Sequence, residues 1–379
     1  MRNIAYFTEW SARERGVSVS DIDPLLVTHI NFAFAALDGN GKIYLNDEYT
    51  DTQKHFNKLN DENNKGVFGQ LRMLKKQYPH IKTLISIGGW AGSKNFCAVA
   101  ADIEKRRCFA KSVLDFILRH GFDGADIDWE FPVAGGDDIP HSADDGRNYL
   151  LLLRELRAAF DAQAEKDGRV YLITIAAAGF RAFAENTDIA LLSRPLDFIN
   201  LMTYDITGSW DSITGFNAPL RQSPYDTTPN AQAAVENTVN AYLKCGVNPK
   251  KLNLGLGFYA RCWHNVNGEN NGLYQSGTAP DKTGYLNGTW EGAVMDIWDI
   301  NQNYIGKSGF KEYYDEYAEA PYLFNGSVFI SYENRRSITA KTEFAVKNGL
   351  GGVMFWEFCG DREKQLQQSA ARVLGIYKK

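Results

Sequence analysis

Short apolar runs recur along the chain, and stretches with the spacing of an amphipathic helix lie between them. Runs rich in β-branched and aromatic residues predict eight strands, at 3–7, 28–35, 82–88, 122–128, 170–177, 197–203, 251–258 and 351–356. Helices are predicted at 70–78, 99–120, 145–166, 183–192, 231–245, 337–348 and 362–375. Eight strand–helix repeats favour an α/β fold of the (β/α)8 TIM barrel type over an open doubly wound sheet.

One interval departs from this regular strand–helix repeat. Roughly ninety residues separate the seventh and eighth predicted strands, where a crossover normally needs a few tens. The intervening segment is rich in Gly, Asn, Tyr and Trp and contains short alternating runs. We therefore predict a small α+β insertion domain at 259–331, on the C-terminal rim of a barrel made of 1–258 and 332–379.

Composition and charge exclude several classes of protein. The chain has 379 residues, of which 44% are hydrophobic, so it can bury a large core. Its 41 basic and 46 acidic residues give a net charge of −5 without a basic stripe, which argues against nucleic acid or anionic membrane as a partner. We expect a monomer. No apolar run approaches the length of a membrane span.

The first residues already resemble a strand and not a signal peptide. We therefore expect a secreted protein whose signal is absent from this chain or, alternatively, a cytoplasmic one. The cysteines are odd in number and widely spaced, at Cys97, Cys108, Cys245, Cys262 and Cys359. Free thiols are the main expectation, with a Cys262–Cys359 disulfide as the minor one. The six histidines form no ligand cluster, so no metal site is predicted from them, and no cofactor is expected.

Three carboxylates alternate along the fourth predicted strand. Asp126, Asp128 and Glu130 occupy every second position and should project from one face of the strand, because successive side chains point to opposite faces. Trp129 and Phe131 should then face the helix layer as core. Crowded carboxylates in a barrel cannot all ionise freely, so the deeper pair should share a proton and Glu130 should have a raised pKa.

Such a gradient of pKa values along the strand suits cleavage of a glycosidic bond, where one carboxylic acid protonates the leaving oxygen. Three alternatives stay open at this point. The three carboxylates, which form an acid row, are also compatible with a Mg²⁺ or Ca²⁺ site, with a structural polar network, or with a sugar-binding protein that has lost catalysis.

Longer motifs carry a family resemblance. Residues 122–130 resemble the D-G-x-D-x-D-W-E signature of glycoside hydrolase family 18, the chitinase family. Other similarities follow in order: 86–89 to its S-x-G-G segment, 202–205 to its M-x-Y-D segment, and Gly352–Trp356 to its eighth strand. The resemblance spans the whole chain.

This resemblance implies a retaining mechanism in which the N-acetyl group of the substrate acts as nucleophile. Glu130 would be the acid and then the base, Asp128 would orient the acetamido group, and Asp126 would hold the shared proton. Tyr204 would donate to the acetamido carbonyl, and Asp205 would bind the distorted sugar or act near Glu130.

The resemblance also implies a set of residues on the substrate side. Tyr6 and Ser86 would hydrogen-bond Asp126, and Met202 would line the pocket above a Trp356 floor. Rim tryptophans are candidates for stacking on sugars: Trp90, Trp210 and also Trp10. The chain departs from the common family pattern at Phe131, where many members have Tyr, and around Arg261, which stays available for a sugar contact.

The implied function is a chitinase acting on β-1,4 linkages between N-acetylglucosamine units of chitin or its oligosaccharides. The alternatives are a weak or inactive chitin-binding lectin, an endo-β-N-acetylglucosaminidase and, third, a metal-dependent barrel. Non-catalytic relatives typically lack the terminal acid, and Glu130 is intact here.

Overall fold

The computed structural model describes residues 1–56, 58–136, 138–280, 288–290 and 292–376. The barrel strands are β1 Arg2–Thr8, β2 His29–Leu37, β4 Lys82–Gly88, β5 Gly124–Asp128, β6 Leu172–Ala178, β7 Phe198–Met202, β8 Leu252–Gly257 and β14 Gly352–Trp356. These strands lie in parallel in the order β1-β14-β8-β7-β6-β5-β4-β2, and β1 pairs with β2 to close the ring. The TIM barrel and its eight predicted strands are confirmed. A short strand that the sequence analysis missed, β3 Ile43–Leu45, pairs antiparallel with the end of β2.

Helices surround the barrel, except for α10 Ile297–Asn303, which lies within the predicted insertion. They are α1 Glu9–Arg13, α2 Glu48–Thr52, α3 Gly66–Gln77, α4 Phe96–Ala101, α5 Ile103–His120, α6 Asp145–Asp167, α7 Arg181–Asn186, α8 Ile189–Leu192, α9 Val235–Lys244, α10 Ile297–Asn303, α11 Arg335–Lys347 and α12 Gln365–Val373. Short 3-10 turns lie at Val19–Asp21, Ser93–Asn95, Pro249–Lys251, Glu269–Gly272 and Phe358–Asp361.

Two of the predicted helices are each divided into two shorter helices in the structure. The helix predicted at 99–120 is interrupted at Asp102, whose carboxylate accepts hydrogen bonds from the backbone N–H groups of Glu104 and Lys105 and so starts α5 anew. The helix predicted at 183–192 is interrupted at Asp188, which has a φ of 45° and caps α8. In both places a local cap interrupts an otherwise continuous helical pattern.

A second, antiparallel sheet follows β8. Its strands are β9 Tyr259–Trp263, β10 Val294–Asp296, β11 Lys311–Asp315, β12 Ala320–Phe324 and β13 Phe329–Ser331, in the order β10-β9-β13-β12-β11. This sheet is consistent with the predicted insertion, of which 281–287 and 291 lie outside the described residues. The domain limits themselves stay a prediction, and we propose them because β9 begins at Tyr259 and β13 ends at Ser331.

The mouth of the barrel lies where its parallel strands end. Most of the large core surrounds the strands on the helix side, whereas a small apolar cluster lies inside the barrel, with Ile4, Tyr6, Ala33, Phe198 and Met354 as its buried members. Half-buried Met202, Tyr204 and Trp356 pack against this inner cluster from the carboxyl ends of their strands. Active sites in this fold form at that end.

Candidate active site

The acid row runs up β5 and out of the barrel. Asp126 and Asp128 belong to the strand, and Glu130 lies two residues beyond its end at Asp128, at the mouth of the barrel. Trp129 points the other way, as predicted. It is fully buried and stacks on Phe96 with ring centroids 5.5 Å apart.

Asp126 lies at the base of the row and is surrounded by hydrogen-bond donors. Its Oδ2 accepts from Tyr6 Oη at 2.7 Å and from Ser86 Oγ at 2.8 Å. Its Oδ1 accepts from Thr174 Oγ1 at 2.5 Å and from Asn200 Nδ2 at 3.4 Å. Ser86 on β4 and Thr174 on β6 are the register partners of Asp126, which explains why their short side chains reach it. Burial raises the pKa of Asp126, and these four hydrogen bonds oppose the rise.

Asp128, one step higher, has a different environment. It is 3% exposed, and its Oδ1 has no hydrogen-bond partner within the described part of the chain. Burial raises the pKa of Asp128 well above its usual range, and the charges of Glu130 and Asp126 raise it further. Four donors point at Asp126, whereas Asp128 Oδ1 has none. This difference favours Asp128 as the protonated member of the pair and Asp126 as the anion. The expectation from the sequence was that Asp126 holds the proton.

Glu130 is half-buried at the mouth. Burial, followed by the charge of Asp205, raises its pKa to about 8. Its backbone N–H donates to Ser93 Oγ at 2.9 Å, and that hydroxyl also donates to the carbonyl of Asp128 at 3.1 Å. The strand end is therefore fixed to the loop after β4. A carboxylic acid with this pKa keeps its proton at neutral pH and can act as a general acid.

The glycine pair at the end of β4 makes this contact possible. Gly88 has a φ of 110°, and a Cβ at this position would lie 2.3 Å from the carbonyl oxygen of Asp128. Gly89, with a φ of 80°, lies against the ring of Phe34. Only residues without a side chain allow the loop to approach the acid row so closely.

Tyr204 and Asp205 follow β7 and face the same mouth. Burial raises the pKa of Tyr204 well above its usual range, with Asp128 as the largest charged contributor, so its hydroxyl stays a donor. Asp205 accepts from Arg261 Nε at 2.9 Å and Nη2 at 2.7 Å. Arg261 also covers the rings of Trp210 and Tyr259, at 4.9 and 5.2 Å. The guanidinium expected to contact a sugar is therefore engaged with Asp205.

Aromatic side chains form the floor and rim. The half-buried Trp356 stacks on Phe34 at 5.6 Å and also packs near Tyr6 and Trp10, at 5.6 and 6.3 Å. Trp90 and Trp210 are 52% and 58% exposed, although Arg261 lies over the ring of Trp210.

Two residues grouped with substrate binding lie deeper than a ligand would reach. Tyr6 is 1% exposed and Ser86 is fully buried, and both donate to Asp126. Their contacts are the hydrogen bonds that the resemblance implied, but their burial places them beneath the mouth of the barrel and not at its surface.

Thr174 and Asn200 also donate to Asp126, and neither was predicted from the sequence. Each is a polar residue in an otherwise apolar barrel strand. That contrast was the signal available in the sequence, because a buried polar side chain needs a partner.

Other expectations concern metals, thiols and membranes. Among the described residues, no group of three or more His, Cys, Asp or Glu is arranged to hold a metal ion. All five cysteines are free, and Cys359 Sγ donates to Ser11 Oγ at 3.0 Å. Within the same ranges, none of the helices has the length and apolar character that a membrane span requires.

Comparison with known proteins agrees with this geometry. The model of the family described as glycosyl hydrolases family 18 matches residues 2–361. The chain belongs to this family. Its match begins in β1 and ends after β14, so it covers all eight barrel strands together with the antiparallel sheet.

Individual proteins of known name are also similar to nearly the whole chain. Chitinase A1 of Niallia circulans is 39% identical over 404 residues, covering 96% of this chain and 57% of that protein. Endochitinase 1 of Metarhizium robertsii is 34% identical over 374 residues, covering 95% and 82%. The solved structure of chitinase ChiA74 from Bacillus thuringiensis has a TM-score of 0.92 at 32% identity, covering 100% of this chain and 70% of that one. The chain thus spans little more than half the length of chitinase A1.

Proposed function

We propose that this family 18 glycoside hydrolase is a chitinase, which hydrolyses β-1,4 linkages between N-acetylglucosamine units of chitin or chito-oligosaccharides. The observation that carries the proposal is the position of Glu130 at the mouth of the barrel, above the other two carboxylates of the acid row. There its pKa is raised to about 8, so it keeps its proton at neutral pH. Trp90 and Trp210 are exposed, and such aromatic side chains suit the apolar faces of sugar rings.

The proposed reaction is retaining and assisted by the substrate. Glu130 gives its proton to the glycosidic oxygen as the bond from that oxygen to the anomeric carbon breaks. The carbonyl oxygen of the adjacent acetamido group attacks the anomeric carbon and forms an oxazolinium-type intermediate. The Glu130 carboxylate then takes a proton from water, whose oxygen opens the intermediate and restores the acetamido group.

The neighbours of Glu130 support this assignment of roles. Asp128 Oδ1, which has no partner among the described residues, is suited to accept from the acetamido N–H and so to hold the acetamido group in position for attack. Tyr204 would donate to the acetamido carbonyl. Trp356 would form the floor under the reacting sugar, with Met202 lining the pocket beside it.

The test is hydrolysis of chitotetraose by wild type and by the Glu130→Gln variant. Removing the acid and base should lower kcat by about 10²–10⁴-fold or more, while binding of the oligosaccharide, measured by calorimetry, is retained. Glu104→Gln, an exposed residue in the first turn of α5, is the matched control and should behave as wild type.

Other outcomes point to the alternatives. A wild type that binds chito-oligosaccharides but never cleaves them would identify a lectin. Cleavage restricted to the chitobiose core of N-glycans would identify an endo-β-N-acetylglucosaminidase. A monomeric state and a location outside the cell are further expectations, to be tested by light scattering and by fractionation of the producing cells.

A further inference from the structure

A chain of hydrogen bonds crosses the barrel interior beneath the acid row. Arg2 Nε donates to Asn253 Oδ1 at 2.9 Å, and Asn253 Nδ2 donates to Asn200 Oδ1 at 3.0 Å. Asn200 Nδ2 in turn donates to Asp126 Oδ1 at 3.4 Å and to Tyr6 Oη at 3.3 Å. Both asparagines are fully buried. The chain thus connects the start of β1 to the base of the acid row.

The direction of this chain is fixed at its Arg2 end. A guanidinium has donors and no acceptor, so Asn253 must present its carbonyl oxygen to Arg2 and its NH₂ group to Asn200. Asn200 must then present its own carbonyl oxygen to Asn253 and its NH₂ group to Asp126. The hydroxyls of Tyr6, Ser86 and Thr174 can rotate, but the Asn200 amide cannot turn over without breaking its bond to Asn253.

Arg2 is itself firmly held. Its Nη2 donates to the carbonyl of Lys250 at 2.5 Å, and its guanidinium lies 4.6 Å from the centre of the Phe198 ring. Burial lowers the pKa of Arg2 to about 10, with Asp197 opposing. The side chain therefore stays charged through the acidic and neutral pH range.

We propose that Arg2, Asn253 and Asn200 are positioning residues, which fix the Asn200 amide as a permanent donor to Asp126 and so keep Asp126 the anionic member of the acid row. The proton of the aspartate pair then belongs to Asp128, the member that contacts the substrate. The kinetic consequence rests on the proposed function, because Asp126 must stay ionised while Asp128 engages the acetamido group.

Other groups around Asp126 do not supply this effect. The titratable groups that face it are Tyr6 on β1, Asp128 on its own strand, Tyr149 on α6 and Tyr204 after β7. Burial raises the pKa of all three phenols well above the usual value, so they stay neutral through the acidic range. Asn200 is the donor to Asp126 whose orientation is fixed from outside the site.

The decisive variant is Asn253→Asp. Its carboxylate still accepts from Arg2 and keeps the shape of the side chain, but it has no N–H for Asn200 Oδ1. The Asn200 amide should turn over, donate to the new carboxylate and present its carbonyl to Asp126. Loss of one hydrogen bond to a charged acceptor and the negative charge of the new carboxylate should both raise the pKa of Asp126, and should move the acidic limb of the kcat profile upward by about one pH unit or more. KM should change little, because these hydrogen-bonded residues do not contact the sugar.

Arg2→Met and Arg2→Lys form a second pair. Methionine removes the donor that sets the direction, so the acidic limb should move upward, by less than in Asn253→Asp. Lysine restores a donor and should return the limb toward the wild-type position. Lys75→Met is the matched control, because it breaks the 2.7 Å contact with Asp123 just before β5 and leaves the hydrogen bonds from Arg2 to Asp126 intact. It should lower the melting temperature and leave the limb unmoved.

The proposal is overturned if Asn253→Asp and Arg2→Met keep the wild-type acidic limb, or if they lose the same fraction of kcat at every pH. A wild type that binds but does not cleave chito-oligosaccharides would instead defeat the proposed function. In that case the pH dependence of Kd for chitotriose takes the place of kcat, and the same upward displacement in Asn253→Asp is expected.

Discussion

Replacing Asp205 by asparagine tests the electrostatic origin of the acidity of Glu130. Burial and then the charge of Asp205 raise the pKa of Glu130 to about 8. Glu130 must be protonated to act as the acid, so kcat/KM should fall as the pH rises through this value. Removing the negative charge of Asp205 makes the Glu130 carboxylate easier to form, which moves this basic limb to lower pH.

The size of the displacement follows from the surroundings of Asp205. Its side chain is 39% exposed and paired with Arg261 at 2.7 Å, so solvent and the guanidinium weaken its effect. The dominant contribution of burial is unchanged in the variant. We expect the basic limb to move down by about 0.5–1 pH unit, measured with an umbelliferyl chitobioside from pH 5 to about pH 10.

Arg261→Met is the opposing control. It leaves the Asp205 charge without its counter-ion, so the pKa of Glu130 should rise and the basic limb should move upward. The two variants should therefore displace the limb in opposite directions, whatever happens to the height of the profile. A limb that is unmoved in Asp205→Asn, or that moves upward, would refute the reasoning.

Two further predictions concern stability and metals. Lys341 on α11 donates to Glu333 inside the protein, where both are almost fully buried; Lys341→Met should therefore lower the free energy of unfolding by about 3–5 kcal/mol in urea, since it leaves a buried charge unpaired. The double variant Lys341→Met with Glu333→Gln should recover part of this loss, and no recovery would show that the pair is not the cause. Hydrolysis of chitotetraose should persist after dialysis against EDTA, and its abolition, reversed by Mg²⁺ or Ca²⁺, would favour the metal-dependent barrel instead.

Much of the fold was readable from the sequence because barrel strands leave a strong local pattern. The buried parallel strands are continuous apolar runs, and the run at 122–128 also carries the alternating acids. Helix boundaries were less accessible. Asp102 and Asp188 lie inside sequences of helical spacing, and their capping hydrogen bonds depend on backbone geometry that spacing does not reveal.

The residues of the candidate site were likewise only partly predictable from the sequence. Asp126, Asp128 and Glu130 were found because their spacing is a property of one strand. The donors that set the charge of Asp126 come from four other strands, β1, β4, β6 and β7. Tyr6 and Ser86 were identified by resemblance, whereas Thr174 and Asn200 required the order and register of the strands. The burial of Tyr6 and Ser86 likewise depends on neighbours distant in sequence.

The central claim is that the substrate supplies the nucleophile to this acid row, and it can be tested with one pair of substrates. The first is the umbelliferyl glycoside of N,N′-diacetylchitobiose, and the second has a free amine in place of the acetamido group on the sugar that carries the fluorophore. Release of umbelliferone reports cleavage of that linkage alone. The account predicts rapid release from the first substrate and a loss of at least about 10³-fold with the second, because a well-placed internal nucleophile contributes a very large effective concentration. Comparable rates of release from both substrates would contradict it.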